Sequence, residues 1–257
     1  TEIRFTNRLE PEYRSRDVFH FHRPETLIEY VKSDGVLRNK LRSMPPLDEA
    51  GLWRAQIKAI KSLERSLHQN RPRALIQMAT GSGKTFTAAN FIYRLLKFGG
   101  ARRVLFLVDR RNLGKQAHKE FSQFIPPDDN RRLAELYNLQ LMDTNKLDTV
   151  SRVVFATVQR VYAMLQGNDD FDPENEEGSL FDTAAPFQKE PPPVEYNPRL
   201  PIETFDVIVV DECHRSIYNL WSQVLEYFDA FIIGLTATPS KQTVGFFHGN
   251  LVMEYTH

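Results

Sequence analysis

The residues with the strongest chemical signature are Thr80-Gly81-Ser82-Gly83-Lys84-Thr85, which follow the apolar run Ala74–Ala79 and open a stretch of helical period reaching Phe98. Glycines in such a turn let the backbone wrap closely, so that successive N–H groups converge on phosphate oxygens. The start of a helix adds a favourable field for the anion. Lys84 then places a compact positive charge on the outer phosphates of a nucleotide, and the Thr85 hydroxyl can ligate magnesium. Further on, the apolar run Phe205–Val210 ends in Asp211-Glu212-Cys213-His214. A carboxylate at the end of a buried strand is costly unless a cation sits beside it. Magnesium is the natural partner of Asp211, and Glu212 is the candidate base that orients and deprotonates an attacking water. Taken singly, each feature also has a bland reading, a glycine-rich turn or a strand that merely ends polar. Together in one chain they support each other as two halves of a Mg-ATP site. Cys213 is assigned no chemistry. His214 is read as a coupling residue that bridges to the threonines of Leu235-Thr236-Ala237-Thr238-Pro239.

These residues need a frame that brings them to one place. Five apolar runs, Ala74–Ala79, Val104–Val108, Val153–Thr157, Phe205–Val210 and Phe231–Leu235, alternate with helical stretches, including one from Asn112, Val158–Leu165 and Ile217–Phe228. Apolar runs without polar alternation, separated by helices, are the pattern of parallel strands buried on both faces. The fold class is therefore α/β: a three-layer domain with a mostly parallel sheet and right-handed crossovers. Upstream, residues 52–69 carry Leu52, Ile57, Ile60, Leu63 and Leu67 at helical period. Residues 1–50 read as a short mixed linker region with one helix from Pro24, closed by Pro45-Pro46. One segment breaks the alternation. Residues 168–200 hold Asp169, Asp170, Asp172, Glu174, Glu176, Glu177, Asp182, Glu190 and Glu195 against Lys189 and Arg199, with six prolines. That composition predicts a long, largely disordered surface insert.

Composition sets outer bounds. Across 257 residues the formal net charge is zero, so any nucleic-acid surface must be a local patch. The single cysteine excludes an internal disulfide framework and fits a reducing cytosol. No apolar run approaches a membrane span, and the Thr1 start shows no signal-peptide pattern. The absence of an initiator methionine points to an excised fragment or a trimmed terminus.

On these residues the chain resembles the first RecA-like motor domain of a superfamily-two helicase. Met78 stands where the commonest phosphate-binding loop has glycine, a departure shared by many helicase-like motors and one that favours them over GTPases. Asp211-Glu212-Cys213-His214 is similar to that superfamily's second motif, and Leu235–Pro239 to its third, which links ATP state to the bound strand. Leu52-Trp53-Arg54-Ala55-Gln56 resembles the adenine-reading motif, with Gln56 as the base reader. Phe106–Leu113, with Arg110 and Arg111, resembles motif Ia, and Ala156-Thr157-Val158-Gln159-Arg160 resembles motif Ib. By that resemblance Arg110, Arg111, Thr157 and Gln159 contact a nucleic-acid backbone. Longer strings, Asp211–Tyr218, Val224–Pro239 and Phe246-Phe247-His248-Gly249-Asn250, are similar to the motor (restriction) subunit of Type I restriction enzymes, and Val18–Leu27 resembles the segment joining its nuclease to its motor.

The resemblance implies residues 1–50 as that connector and 51–257 as motor domain 1. It implies ATP and Mg2+ as cofactors, and double-stranded DNA together with modification and specificity subunits as partners. It also implies a prokaryotic cytoplasmic setting. The nuclease would need a Glu-x-Lys element, which the chain lacks, and a second RecA-like lobe would begin near His257. A repair or RNA helicase of the same superfamily, and a non-hydrolysing nucleotide-binding scaffold, stand as alternatives. Between Arg94 and Lys119 lie Lys97, Arg102, Arg103, Arg110, Arg111 and Lys115, with Asp109 the only acid. Arg94 and Lys97 read as a solvated face. Arg110 and Arg111, directly after a strand end, suit phosphate-backbone contacts that carry affinity without sequence reading.

Overall fold

A computed structural model describes residues 2–10, 15–32, 37–168, 171, 176, 191–215 and 220–255. The chain opens with a two-stranded antiparallel ribbon, β1 (Ile3–Phe5) and β2 (Arg16–Val18), followed by α1 (Pro24–Lys32), α2 (Leu37–Lys40) and a 3-10 turn at Leu41–Ser43. Then come α3 (Arg54–His68), β3 (Arg73–Met78), α4 (Lys84–Lys97), β4 (Val104–Val108), α5 (Arg111–Gln123), α6 (Leu133–Leu136), β5 (Leu139–Leu141), β6 (Val153–Thr157) and α7 (Val158–Leu165). The last part holds β7 (Val207–Val210), a 3-10 turn at Cys213–Arg215, α8 (Leu220–Tyr227), β8 (Phe231–Thr236), α9 (Lys241–Phe246) and β9 (Leu251–Tyr255).

Strands β3 to β9 form one sheet in the order β5-β6-β4-β7-β8-β3-β9, and every neighbouring pair is parallel. All residues of β4, β6, β7 and β8 are buried. Their alternate side chains feed two apolar layers, as expected of strands covered on both faces. Phe106, Phe155, Val209 and Ile233 pack under α3, α4 and α5 with Ile60, Leu63, Phe91 and Phe121. Leu105, Leu107, Ile208 and Val210 pack under α7 and α8 with Val161, Trp221 and Tyr227. This is the α/β sandwich that the alternation predicted. The runs missed are the short edge strands β5 and β9, whose partly exposed residues leave no continuous apolar signal, and the ribbon β1–β2. Among the described residues no helix is long and apolar enough to cross a membrane.

Three expectations change. Residues 191–200 are not a free loop: Val194 and Leu200 are buried, the Val194 N–H donates to Gln223 Oε1 (2.8 Å), and Tyr162 Oη donates to the Pro192 carbonyl (2.7 Å). Glu176 is also buried. Residues 169–170, 172–175 and 177–190 of the expected insert lie outside the described residues.

Second, Arg94 is no solvated cation. It is buried, holds Glu64 of α3 with two bonds (Nε–Oε1 2.5 Å, Nη2–Oε2 3.1 Å) and donates to the Pro45 carbonyl. Third, the 1–50 region is tied to the sheet by buried charge. Arg16 and His22 both hold Asp229 (Nε–Oδ1 2.6 Å; Nε2–Oδ2 2.7 Å), Arg23 and Thr26 hold Glu203, and Leu41 joins the core.

Candidate nucleotide site and strand-end groove

In a parallel sheet every strand delivers its C-terminal end to the same edge, where ligands of such folds bind. Three neighbouring strands do so here. β3 ends in the glycine turn, β8 ends at Thr236 and β7 ends in Asp211-Glu212, in the order β7-β8-β3. In the turn, Gly81 and Gly83 take φ of +76° and +81°, where a side chain is strained. At Gly83 a Cβ would also stand 2.6 Å from Gln56 Nε2, the movable end of that side chain, so the left-handed backbone is what calls for glycine. Gly83 is the N-cap of α4 and offers no capping side chain, which leaves first-turn N–H groups for an anion. Ser82 is buried, and both its hydroxyl (2.5 Å) and its N–H (3.2 Å) donate to the Ala79 carbonyl, a contact that a bound phosphate would have to replace. Thr80 is exposed at the rim.

Lys84 Nζ lies 3.5 Å from the Met78 carbonyl and 3.4 Å from Glu212 Oε1, which brings the two sequence halves together. Burial, and next the charge of Glu212, push the Asp211 carboxyl up to about 6 against the opposing pull of Lys84. A carboxyl raised in this way is short of positive charge. The Thr85 hydroxyl has no hydrogen-bond partner among the described residues. One hydroxyl and one carboxylate are the few protein ligands that Mg2+ needs when phosphates and water complete its shell, so the residues present fit that ion. No cluster of three or more His, Cys, Asp and Glu that could cage a metal occurs among the described residues.

Glu212 sits at φ +49°, a left-handed backbone that costs a bulky side chain roughly 1–3 kcal/mol and is concentrated at functional sites. The 3-10 turn that follows seats His214, whose Nδ1 is 3.0 Å from Thr236 Oγ1 and 3.4 Å from Glu212 Oε2. Thr236 Oγ1 in turn accepts from the Thr238 N–H (3.2 Å). Glu212, His214, Thr236 and Thr238 thus form one connected string across β7 and β8. Cys213 is buried under β8, where Gly234 leaves it room, and burial pushes its thiol well above the usual range. Gln56 is buried, accepts from the Trp53 N–H through Oε1 (3.0 Å) and touches Gly83, so the base-reading candidate leans on the phosphate turn.

On the far side of the edge, Arg110 and Arg111 follow β4 and are half-buried. Arg111 Nη2 reaches Asp143 (2.6 Å), and Arg110 Nε lies 3.9 Å from Asp109. Lys115 and Lys119 are exposed on α5, whereas Arg94, Arg102 and Arg103 are committed to intramolecular partners. Thr157 and Gln159, expected as backbone contacts, do not face outward. Thr157 Oγ1 caps α7 and donates to Glu176 Oε1 (2.5 Å), and Gln159 Nε2 donates to the Asp109 carbonyl (3.2 Å). Two contributors went unnoticed. Gln77 Nε2 ties the phosphate strand to the Ala237 carbonyl (3.3 Å), and its signal was there, as the one polar residue inside an apolar run. Glu176 had no such signal, being one acid among many in 168–200.

Comparison with known proteins now adds a family. The family profile described as Type III restriction enzyme, res subunit, matches residues 50–241, three quarters of the chain and all of the site above. The chain belongs to this restriction-enzyme res-subunit family. It is similar to the Type I restriction enzyme EcoKI endonuclease subunit of Escherichia coli K12, 29% identical over 95% of this chain and 20% of that subunit. It is similar also to the EcoAI endonuclease subunit of Escherichia coli, 30% identical over 72% of this chain and 19% of that subunit. The chain therefore spans about a fifth of the length of the curated relatives it matches. A solved fragment assigned to the HsdR subunit of a type I restriction enzyme from Vibrio vulnificus YJ016 superposes with a TM-score of 0.53 at 22% identity, covering 99% of this chain and 39% of that one. That likeness shows a shared fold.

Proposed function

We propose that this chain is the ATP-binding lobe of an ATP-driven double-stranded DNA translocase belonging to a Type I restriction system. The observation that carries the reading is the convergence of Lys84 with the Asp211-Glu212 pair, 3.4 Å apart across three strand ends that sequence alone could not place side by side. The backbone of Thr80, Gly81, Ser82 and Gly83 cradles the phosphates, and Lys84 offsets their charge. Gln56 reads the adenine. Thr85 and Asp211 would hold Mg2+, which when bound neutralises charge on the phosphates. Glu212 takes the proton of the attacking water. In the state described it is held by Lys84 and His214, so bound phosphates must first draw Lys84 away. His214, Thr236 and Thr238 carry the change at the nucleotide to the strand-end groove, where Arg110 and Arg111 meet the DNA backbone.

In this reading residues 51–257 are motor domain 1 and residues 1–50 are the connector to a nuclease. A second RecA-like lobe, the modification and specificity subunits and a prokaryotic cytoplasmic setting complete it. The support is the family, the similarity to Type I endonuclease subunits and the geometry of the site. The test is nucleotide binding. Lys84→Ala should lose most Mg-ATP affinity with an unchanged melting temperature, because Lys84 is a counter-charge rather than a core residue. Unchanged nucleotide affinity and unchanged hydrolysis in the intact protein would sink the assignment. Stimulation of hydrolysis by duplex DNA rather than RNA separates the translocase from an RNA helicase.

A further inference from the structure

The outward face of α3 carries one sign of charge from end to end. Arg54, Lys58, Lys61, Arg65 and His68 are all exposed, while Ile60, Leu63 and Leu67 face the core. The five follow one another every three or four residues, which at about 100° per residue places them within an arc of roughly 80°. At about 1.5 Å per residue the row is roughly 21 Å long. No acid lies in this arc. Glu64, the only acid of α3, is turned aside to Arg94. Lys61 alone among the five has a charged partner among the described residues, Glu49, and both side chains of that pair are about half exposed.

Such a row does not serve the helix. Like charges three and four residues apart repel, whereas interleaved acids would attract. The first turn holds no acid, and Arg54 stands at the positive end of the helix dipole, where a cation is unfavourable. Acids are not scarce, since the chain has 33 of them against 33 lysines and arginines. A face that merely kept the protein in solution would mix both signs. A row of one sign points instead to a partner of the opposite sign.

The row has its own place in the fold. α3 packs on β3 and on the edge strand β9, and its first turn lies at the phosphate turn, where Gln56 meets Gly83. From there it runs down the flank of the sheet toward the start of β3. β9 stands four places from β4 in the sheet, about 19 Å at the usual strand spacing, so the row is separate from the groove of Arg110 and Arg111.

We propose that the outer face of α3 is a second surface for duplex DNA, held by its backbone phosphates along the flank of the domain. A duplex is a stiff rod with one charge per roughly 1.7 Å of axis, so it offers phosphates along the whole row. The arc has no apolar anchor between its cations. That suits phosphates better than an acidic protein, whose interface would centre on buried aromatic or aliphatic side chains. The inference rests on the reading above that the nucleic acid of this protein is duplex DNA, and adds a second contact to it.

The test sets stability against affinity. Lys58→Glu with Arg65→Glu puts an acid three residues before Lys61 and another four residues after it. The helix gains attractive pairs, so the melting temperature should hold or rise. Binding of a random-sequence duplex by the intact protein is followed by fluorescence anisotropy over a range of salt. Affinity should fall by about tenfold or more, and the log–log salt slope by about 1.8, the loss of two phosphate contacts. Arg110→Ala with Arg111→Ala should weaken binding separately, and the slope losses should add when the two sets are combined. If the glutamate variant keeps wild-type affinity and slope while the Arg110 and Arg111 variant loses both, the row is a solvated face and the proposal falls, while the translocase reading stands. If the wild-type protein binds no duplex at any salt concentration, both fall. Lys58→Gln with Arg65→Gln removes charge without adding any and covers the case in which the glutamates disturb the fold. It should lose the same slope, and a wild-type slope there would overturn the contact. Poly-glutamate at equal charge concentration should leave duplex bound to the Arg110 and Arg111 variant. Displacement would show that the row takes an acidic protein, and would overturn the DNA assignment.

Discussion

Asp211 and Glu212 are adjacent in sequence but live in different surroundings, and the difference bears on the roles proposed for them. Asp211 is the more deeply set, with its carboxyl pushed up to about 6 by burial and by its neighbour. Glu212 stands on a left-handed backbone that turns its carboxylate toward Lys84 and His214. We expect Glu212→Gln to keep nucleotide affinity and stop turnover, because it preserves shape and removes the base. Asp211→Asn should instead weaken Mg2+-dependent nucleotide binding. Calorimetric titrations with and without Mg2+, alongside steady-state hydrolysis in the intact protein, separate the two. Equal loss of affinity in both variants would show that the division of labour is wrong.

At the scale of elements, what aligns the site is the packing of the turn after β7 against β8. Gly234 lies mid-strand, and a Cβ there would stand 2.4 Å from Phe247 Cζ and 2.7 Å from Cys213 Sγ. The missing side chain is what lets the 3-10 turn seat Cys213 in the core and His214 over Thr236. Gly234→Ala should therefore cost about 1–3 kcal/mol through overpacking. It should also lower hydrolysis beyond what the stability loss explains, because the turn must move and carry His214 with it. Urea unfolding paired with activity at a temperature where the variant is fully folded checks this. Full activity in the folded variant would show that the His214–Thr236 contact is not needed.

Two features belong to the whole molecule. The N-terminal ribbon and the segment leading into α1 are fastened at Asp229, in the turn before β8, which receives Arg16 and His22. Burial alone would raise that carboxyl, but the hydrogen bonds of His22 and Arg16 and the charges of Arg16 and Arg38 outweigh it and hold it far below the carboxylate range. A depressed folded value means that the stabilisation is present above the unfolded carboxylate value and lost as pH falls through the folded one. The melting temperature should therefore drop as pH falls below about 4, the unfolded value of an aspartate. Asp229→Asn should be less stable at neutral pH and show a flatter acid limb, and an acid limb identical to wild type would exclude Asp229 as its source.

The second feature concerns turnover. The candidate nucleotide site lies on a strand-end edge, and in the proposed motor a second lobe closes it and supplies an arginine. In related phosphoryl-transfer systems such an arginine is worth roughly 10³–10⁵ in rate. Residues 1–257 alone should bind nucleotide and show little DNA-stimulated hydrolysis, whereas a chain extended through the following lobe should turn over. Robust DNA-stimulated hydrolysis by the shorter chain would show that the second lobe is dispensable.

The sequence by itself determined the buried strands and the two halves of the candidate nucleotide site. Uninterrupted apolar runs can be satisfied only by a sheet covered on both faces, and Gly-x-Gly-Lys-Thr after such a run has few other uses. Those signals are local, and local spacing survives without knowledge of the fold. The tertiary structure decided what depends on distant partners. It turned Arg94 from a supposed surface cation into a tie between α4 and α3, because Glu64 and the Pro45 carbonyl meet it there. It drew Thr157 and Gln159 inward, and it brought Glu176 out of an unpromising acidic segment into a buried ion pair. It packed 191–200 against α7 and α8 despite a composition poor in apolar residues. The physical reason is common to all of these. The cost of a buried charge or hydroxyl is set by the partner that satisfies it, and that partner can lie far away in the chain, where no local pattern announces it.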